Sequence, residues 1–222
     1  MEINERIQEE LDALVTNYPP LSACVDDVRA AYELMKDTCQ RGGIIMICGN
    51  GGSAADAEHI VGELMKGFKQ QRPVLDEQRR ALLSAFPGDG AYLADNLQRG
   101  IPAISLVSQS SLLSAFINDV APDMAFAQQV FGYGIEGDVL IGISTSGFSK
   151  NVVNACKVAK AFGIGTIGIT GENGGELPGI CNVVIRVPAS DTFRVQEYHI
   201  PVYHALCAML ETVLFDDFSQ NG

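Results

Sequence analysis

Apolar positions follow two rhythms along this chain. Ile7, Leu11, Leu14 and Val15 recur at helical spacing, as do Val25, Val28, Ala31, Leu34 and Met35, with Pro19-Pro20 separating the two stretches. From residue 43 onward, short apolar runs appear at 43–48, 103–107, 139–143, 166–170 and 183–187. Runs so short and so uniformly apolar predict strands buried on both faces. Amphipathic stretches between them predict helices over 53–68, 110–118, 124–131, 150–162 and 194–215. The alternation predicts an α/β fold with a central parallel sheet, preceded by N-terminal helices within 1–42. No repeat or linker divides the chain, so one domain over 1–222 is expected. Residues 73–100 break the rhythm. They hold a short helical stretch (75–83), a Pro87-Gly88-Asp89-Gly90 turn and a second helical stretch (91–98), an insertion between a helix and the next strand.

Two polar loops stand out against this pattern. Cys48-Gly49-Asn50-Gly51-Gly52-Ser53 follows one predicted strand, and Ser144-Thr145-Ser146-Gly147-Phe148-Ser149 follows another. Each leads into a predicted helix, whose N-terminus offers free N–H groups and positive potential. In parallel sheets ligands bind at the carboxyl ends of strands, where both loops fall. The pair predicts a phosphate held from one side and a polar body gripped from the other. Gly49-x-Gly51-x-x-Ala54 also fits a dinucleotide fingerprint, but the acidic pair Asp76-Glu77 that should complete it lies in the insertion.

Charge and cysteine content narrow the function. The net charge of −12 argues against nucleic acid and anionic membranes as partners, so any anion site must be built locally. The six cysteines are scattered without a CxxC spacing, which predicts reduced thiols and no cysteine-bound metal. No apolar run reaches membrane-spanning length and Met1-Glu2-Ile3-Asn4-Glu5-Arg6 is no signal peptide, so a cytoplasmic protein is expected.

The three histidines all lie near polar motifs. His59 and Glu63 are four apart on a predicted helix and share a face, as metal ligands, an acid–base pair or a solvated helix pair would. Gln196 and His204 are eight apart, about 12 Å of rise and about 80° of rotation, with a helix-kinking Pro201 between them. His199 reads more simply as a hydrogen-bonded structural histidine. Asn118-Asp119 is a further polar corner, or a plain helix end.

Taken together, Gly49-Asn50-Gly51-Gly52-Ser53-x5-His59-x3-Glu63, Ile143-Ser144-Thr145-Ser146-Gly147-x-Ser149 and Arg194-Val195-Gln196-Glu197-x-His199-x4-His204 resemble the phosphoheptose isomerase branch of the SIS-domain family. The resemblance extends to Asn118-Asp119 and to Gly168-Ile169-Thr170-Gly171, over nearly the whole chain. It implies a flavodoxin-like three-layer sandwich, a homotetramer with N-terminal helices packed across subunits, and active sites at subunit interfaces. It implies substrate contacts from Asn50, Gly51, Gly52, Ser53, Asn118 and Asp119, and a phosphate cradle of Ser144, Thr145, Ser146 and Ser149. It further implies one zinc per subunit on His59, Glu63, Gln196 and His204, with Glu63 and Gln196 also touching sugar. Glu63 and His204 would be the catalytic acid–base pair. The chain departs from the family in its 73–100 insertion and in reading Lys66-Gly67-Phe68 where a Gly-Arg-aromatic sequence is common. Lys66 and Lys69 are the candidates to replace that arginine.

The expected chemistry is ketose–aldose interconversion of a phosphosugar, sedoheptulose 7-phosphate by resemblance, through an enediol. A non-catalytic phosphosugar-binding regulator of the same fold and an isomerase of another phosphosugar are the competing readings.

Overall fold

The computed structural model describes residues 3–215. Helix α1 (Ile3–Asn17), a 3-10 turn at Pro19–Cys24 and helix α2 (Val25–Gln40) precede the sheet. Then follow β1 (Ile45–Gly49), α3 (Gly52–Met65), α4 (Asp76–Ala85), α5 (Gly90–Asn96), β2 (Ala103–Ser105), α6 (Ser110–Asp119) and α7 (Ala125–Tyr133). The chain continues as β3 (Val139–Ile143), α8 (Lys150–Ala161), β4 (Gly165–Thr170), β5 (Val183–Arg186) and α9 (Thr192–Phe215). All five predicted strands exist, and all pair in parallel in the order β2-β1-β3-β4-β5. This is the flavodoxin-like order, whose switch point lies between β1 and β3.

Pleating sorts the strand side chains into two cores. Ile45, Ile47, Ile141 and Ile167 join a cluster with residues of α1, α2, α3 and α9. Met46, Cys48 and Leu140 point the other way, into a cluster with residues of α7 and α8. The uniform burial of the central strands follows from this double cover. No helix among the described residues is long and apolar enough to cross a membrane.

The apolar stripe of α1 is covered within its own chain. Ile7, Leu11 and Leu14 are buried, and α1 packs along α9. A second subunit is therefore not needed to cover that stripe.

Helix α3 stops at Met65, three residues earlier than the periodicity predicts. The cause is a buried ion pair beyond its end. Arg72 and Glu211 are almost wholly buried, with Nε 2.7 Å from Oε1. Arg72 Nη1 donates to the Leu64 carbonyl at 2.7 Å, taking a carbonyl the helix end leaves open. Glu211 accepts the N–H groups of Phe68 (2.8 Å), Lys69 (2.7 Å) and Gln70 (3.2 Å). The segment after α3 is thus pinned to α9 rather than continued as helix.

The insertion leaves from and returns to this anchor. Arg99 N–H donates to the Arg72 carbonyl at 2.7 Å, Pro73 and Gln98 form an antiparallel bridge, and the Arg72 and Arg99 guanidinium groups both lie over the Phe215 ring. Between these ends α4 and α5 form a hairpin held by an Arg79–Asp95 ion pair at 2.5 Å, and α4 buries no residue. The insertion is therefore an outward-standing helical hairpin.

Glu211→Ala should lower stability by about 3–5 kcal/mol, because it leaves Arg72 charged, buried and unpaired. Urea denaturation measures this, and Arg72→Met with Glu211→Met should recover part of the loss. A single-variant cost under about 1 kcal/mol would show that the pair does not hold this junction together.

Candidate active site

Both polar loops emerge at the carboxyl ends of β1 and β3, which are hydrogen-bonded neighbours at the switch point. The loops are tied to one another by their amides. Asn50 Nδ2 donates to Asn151 Oδ1 and Asn151 Nδ2 donates to Asn50 Oδ1, both at 2.9 Å. Asn151, in the first turn of α8, was not singled out from the sequence; a lone amide after the hydroxyl run carries no signal until the loops are side by side.

Ser144 organises the second loop from beneath. It is 2% exposed, donates its hydroxyl to Ser149 Oγ at 2.9 Å, and accepts the N–H groups of Gly147 (3.1 Å) and Ser149 (3.4 Å). Gly147 has φ of +71°, and its backbone lies against Gly174-Gly175, leaving no space for a Cβ. The Thr145 carbonyl accepts the Gly171 N–H at 3.0 Å, fastening the loop to the end of β4. Ser146 is exposed, and its hydroxyl accepts the Phe148 N–H at 3.2 Å. Ser146, Ser149 and the α8 N-terminus are therefore the surface offered to an anion. In the first loop Ser53 is only 3% exposed and packs beneath Gly49. The Gln196 side-chain amide lies directly on Gly52, so any larger residue there would push that amide aside.

A second cluster lies farther along α3. His59 Nε2 is 3.2 Å from Glu63 Oε1, as the four-residue spacing predicts. Helix α9 brings His204 Nε2 to 3.4 Å from His59 Nε2, and Phe68 packs against the His204 ring. Burial first, and then proximity to His59, lower the His204 pKa below its ordinary value, against the opposing pull of Glu63. Lys66 Nζ sits 3.1 Å from Glu63 Oε2, so this lysine does bring positive charge to the cluster. Lys69 instead pairs with Glu10. Tyr203 and Asp56, also missed in the sequence, adjoin His59 on its other side.

Several expected members are placed elsewhere. No hydrogen bond among the described residues joins Gln196 to His59, Glu63 or His204; the eight-residue spacing leaves it nearer the glycine loop. Asn118 and Asp119 are exposed at the end of α6, joined to each other at 2.7 Å and to no other candidate residue by a hydrogen bond. His199 is fully buried, but neither ring nitrogen has a partner of hydrogen-bonding geometry. Burial pushes its pKa down to about 4 despite the nearby Thr170 backbone, so it is a neutral core residue.

The cluster's donors can be tested for a metal. Imidazole and carboxylate suit zinc, and two ligands on one tetrahedral zinc at about 2.0–2.1 Å stand roughly 3.3 Å apart. The His59–Glu63 and His59–His204 spacings of 3.2 and 3.4 Å match that edge. The described residues nevertheless hold no group of three His, Cys, Asp or Glu side chains closed as a metal cage. The donor types and two edges fit; closing the cage requires side-chain movement.

Hydroxyl and glycine loops joined at the switch point of a parallel sheet, with a His/Glu cluster farther along α3, form a candidate site of an α/β protein. The family model described as SIS domain matches residues 21–82 and 93–171. The chain belongs to the SIS domain family and, within it, to the phosphoheptose isomerases. A phosphoheptose isomerase of Geotalea daltonii is 40% identical over 190 residues, covering 86% of this chain and 85% of that protein. One of Trichlorobacter lovleyi is 36% identical over 220 residues, covering 99% and 97%. The solved structure of phosphoheptose isomerase GmhA from Neisseria gonorrhoeae shares 32% identity with a TM-score of 0.67, covering 93% of this chain and 98% of that one. The family match skips residues 83–92, at the centre of the predicted insertion.

Ser144→Ala and Ser146→Ala should separate. Removing the buried Ser144 hydroxyl strands two N–H groups and should cost about 1–3 kcal/mol of stability. Ser146→Ala should change stability by less than about 0.5 kcal/mol while raising KM for a phosphosugar several-fold. Thermal melts and steady-state kinetics check both, and the reverse assignment of effects would contradict the division of labour.

Proposed function

We propose that this chain is an aldose–ketose isomerase of phosphosugars that converts D-sedoheptulose 7-phosphate to D-glycero-D-manno-heptose 7-phosphate. The observation that carries the reading is the meeting of Glu63 and His204 around His59, in a chain that also presents a hydroxyl loop suited to phosphate at the carboxyl end of β3. The named activity of the relatives supports the same conclusion.

Ketose-to-aldose conversion needs no external oxidant. Glu63 takes a proton from C1 while His204 donates to the C2 oxygen, giving the enediol. Glu63 then returns the proton to C2 and the C1 hydroxyl proton leaves to His204, so C1 becomes the aldehyde. Burial and His59 favour the uncharged form of His204, whose N–H can still polarise a carbonyl oxygen. Lys66 places positive charge beside the carboxylate where anionic character develops. Ser146, Ser149 and the α8 N-terminus, with Thr145 beside them, anchor the phosphate, and Asn50, Gly51, Gly52 and Gln196 meet the sugar. Remote anchoring orients the reacting carbons.

His59, Glu63 and His204, with Gln196 as a weaker oxygen donor, would hold one zinc per subunit. Such an ion supplies Lewis-acid polarisation of substrate oxygens. All six cysteines are free, which supports a reducing, cytoplasmic setting.

A homotetramer with shared sites completes the proposal. His59 and Glu63 lie roughly 10 and 16 Å of helix rise beyond Gly52, a long reach for one small substrate within one chain. Asn118 and Asp119 lie apart from that cluster, flanked by Ile117 (45% exposed) and Val120 (67% exposed). Apolar surface of this kind beside polar site residues favours coverage by another copy of the chain.

Glu63→Gln and His204→Ala should each lower kcat about 10²-fold or more, and each should reduce the zinc retained by untagged protein, read by elemental analysis. Full activity in either variant would reject the acid–base roles. Zinc near zero in wild-type protein, with activity indifferent to chelators, would reject the metal alone.

Refolding a mixture of Glu63→Gln and Asp119→Asn chains should restore part of the activity that each lacks alone. A monomer by light scattering at micromolar concentration would overturn the assembly. A tetramer without complementation would reject only the sharing of these two residues.

A further inference from the structure

We propose that Asp56 and Tyr203 are positioning residues that set the tautomer of His59, leaving its Nε2 lone pair aimed at Glu63 and His204. This rests on reading His59 as a member of the proposed site. Tyr203 reaches in from α9, is 1% exposed, and places its hydroxyl 3.0 Å from His59 Nδ1 and 3.4 Å from Asp56 Oδ1. Asp56 stands one helical turn before His59 on α3, so one tyrosine meets both.

Proton counting decides the direction of this chain. An ionised carboxylate only accepts, and a phenol carries a single proton. In the structure Tyr203 donates to Asp56 Oδ1, which leaves its oxygen to accept from His59. His59 must then carry its proton on Nδ1. A neutral imidazole protonated there has a bare Nε2.

The consequence falls on the far side of the ring. Bare Nε2 faces Glu63 Oε1, a second acceptor, at 3.2 Å. Two acceptors so close repel unless a proton or a cation lies between them. The Asp56–Tyr203 pair thus favours a cation between His59 and Glu63. Packing alone would not orient this ring, because the His59 side chain is 44% exposed. The second Asp56 oxygen, Oδ2, is buried without a hydrogen-bond partner, so the Asp56 carboxylate leans on Tyr203.

The chain's three histidines make the test direct. Long-range ¹H–¹⁵N spectra of the metal-free whole chain at about pH 8, above the ordinary imidazole range, report each ring's tautomer. His59 should be Nδ1-protonated in the wild type. In Tyr203→Phe it should shift toward the Nε2-protonated form, and affinity for Zn²⁺ alone, measured by chelator competition, should fall about 10–100-fold. Asp56→Ala should act in the same way and serves if Tyr203→Phe does not fold. Asp56→Asn, whose amide oxygen still accepts the phenol proton, should keep the wild-type tautomer. An Nε2-protonated His59 in the wild type overturns the inference, as does a Tyr203→Phe variant with unchanged tautomer and Zn²⁺ affinity. None of these readouts needs turnover, so a protein with the expected tautomer but no isomerase activity would reject only the proposed reaction.

Discussion

The Arg72–Glu211 ion pair is the constraint on which the arrangement of this molecule turns. It is buried, charge-assisted and shared among four pieces of chain: the end of α3, the segment 67–70, the root of the insertion and the last turns of α9. Removing two charges from water is costly, and an apolar pair of similar volume could be as stable. What the ion pair adds is direction. A guanidinium with fixed donors and a carboxylate with fixed acceptors admit one register between α3 and α9. Glu63 and His59 lie on the first of these helices and His204 on the second. Their approach within 3.4 Å depends on that register being held.

The sheet supplies the other half of the geometry. Because β1 and β3 are neighbours, loops from distant parts of the sequence lie side by side, and the Asn50–Asn151 amide pair locks them together. Within the hydroxyl loop the labour is divided. Ser144 spends its hydrogen bonds on the loop itself, which leaves Ser146 and Ser149 facing outward on a preformed surface. Such preorganisation lets an anion bind without first ordering the backbone.

The hairpin of α4 and α5 is an addition that leaves this machinery intact. Its two ends close on Arg72, so the excursion between them strains neither α3 nor β2. Phe86 and Tyr92 on the hairpin are more than half exposed. The family match bridges it with a gap at 83–92, which fits an extra element placed at an existing corner.

Much was legible from the residues alone. Strand positions, parallel pairing and the helix rhythm followed from apolar periodicity, because burial on both faces leaves a mark at every position of a strand. The His59–Glu63 pair was legible because four residues make one helical turn, a strictly local relation. Glycine and hydroxyl loops were legible because few residue types tolerate their backbone or supply their donors. Long-range relations were not. Nothing in the spacing said that Tyr203 and Asp56 would meet at His59, that Arg72 would find Glu211 139 residues away, or that α1 would cover its stripe with α9. Nor did it say that Ser144 would turn inward while Ser146 faces out. The local chain determined which chemical groups are present and on which element each rides. Only the packing of helices on the sheet decided which of those groups share a site, because side chains far apart in sequence meet solely through the tertiary contacts that bury their helices.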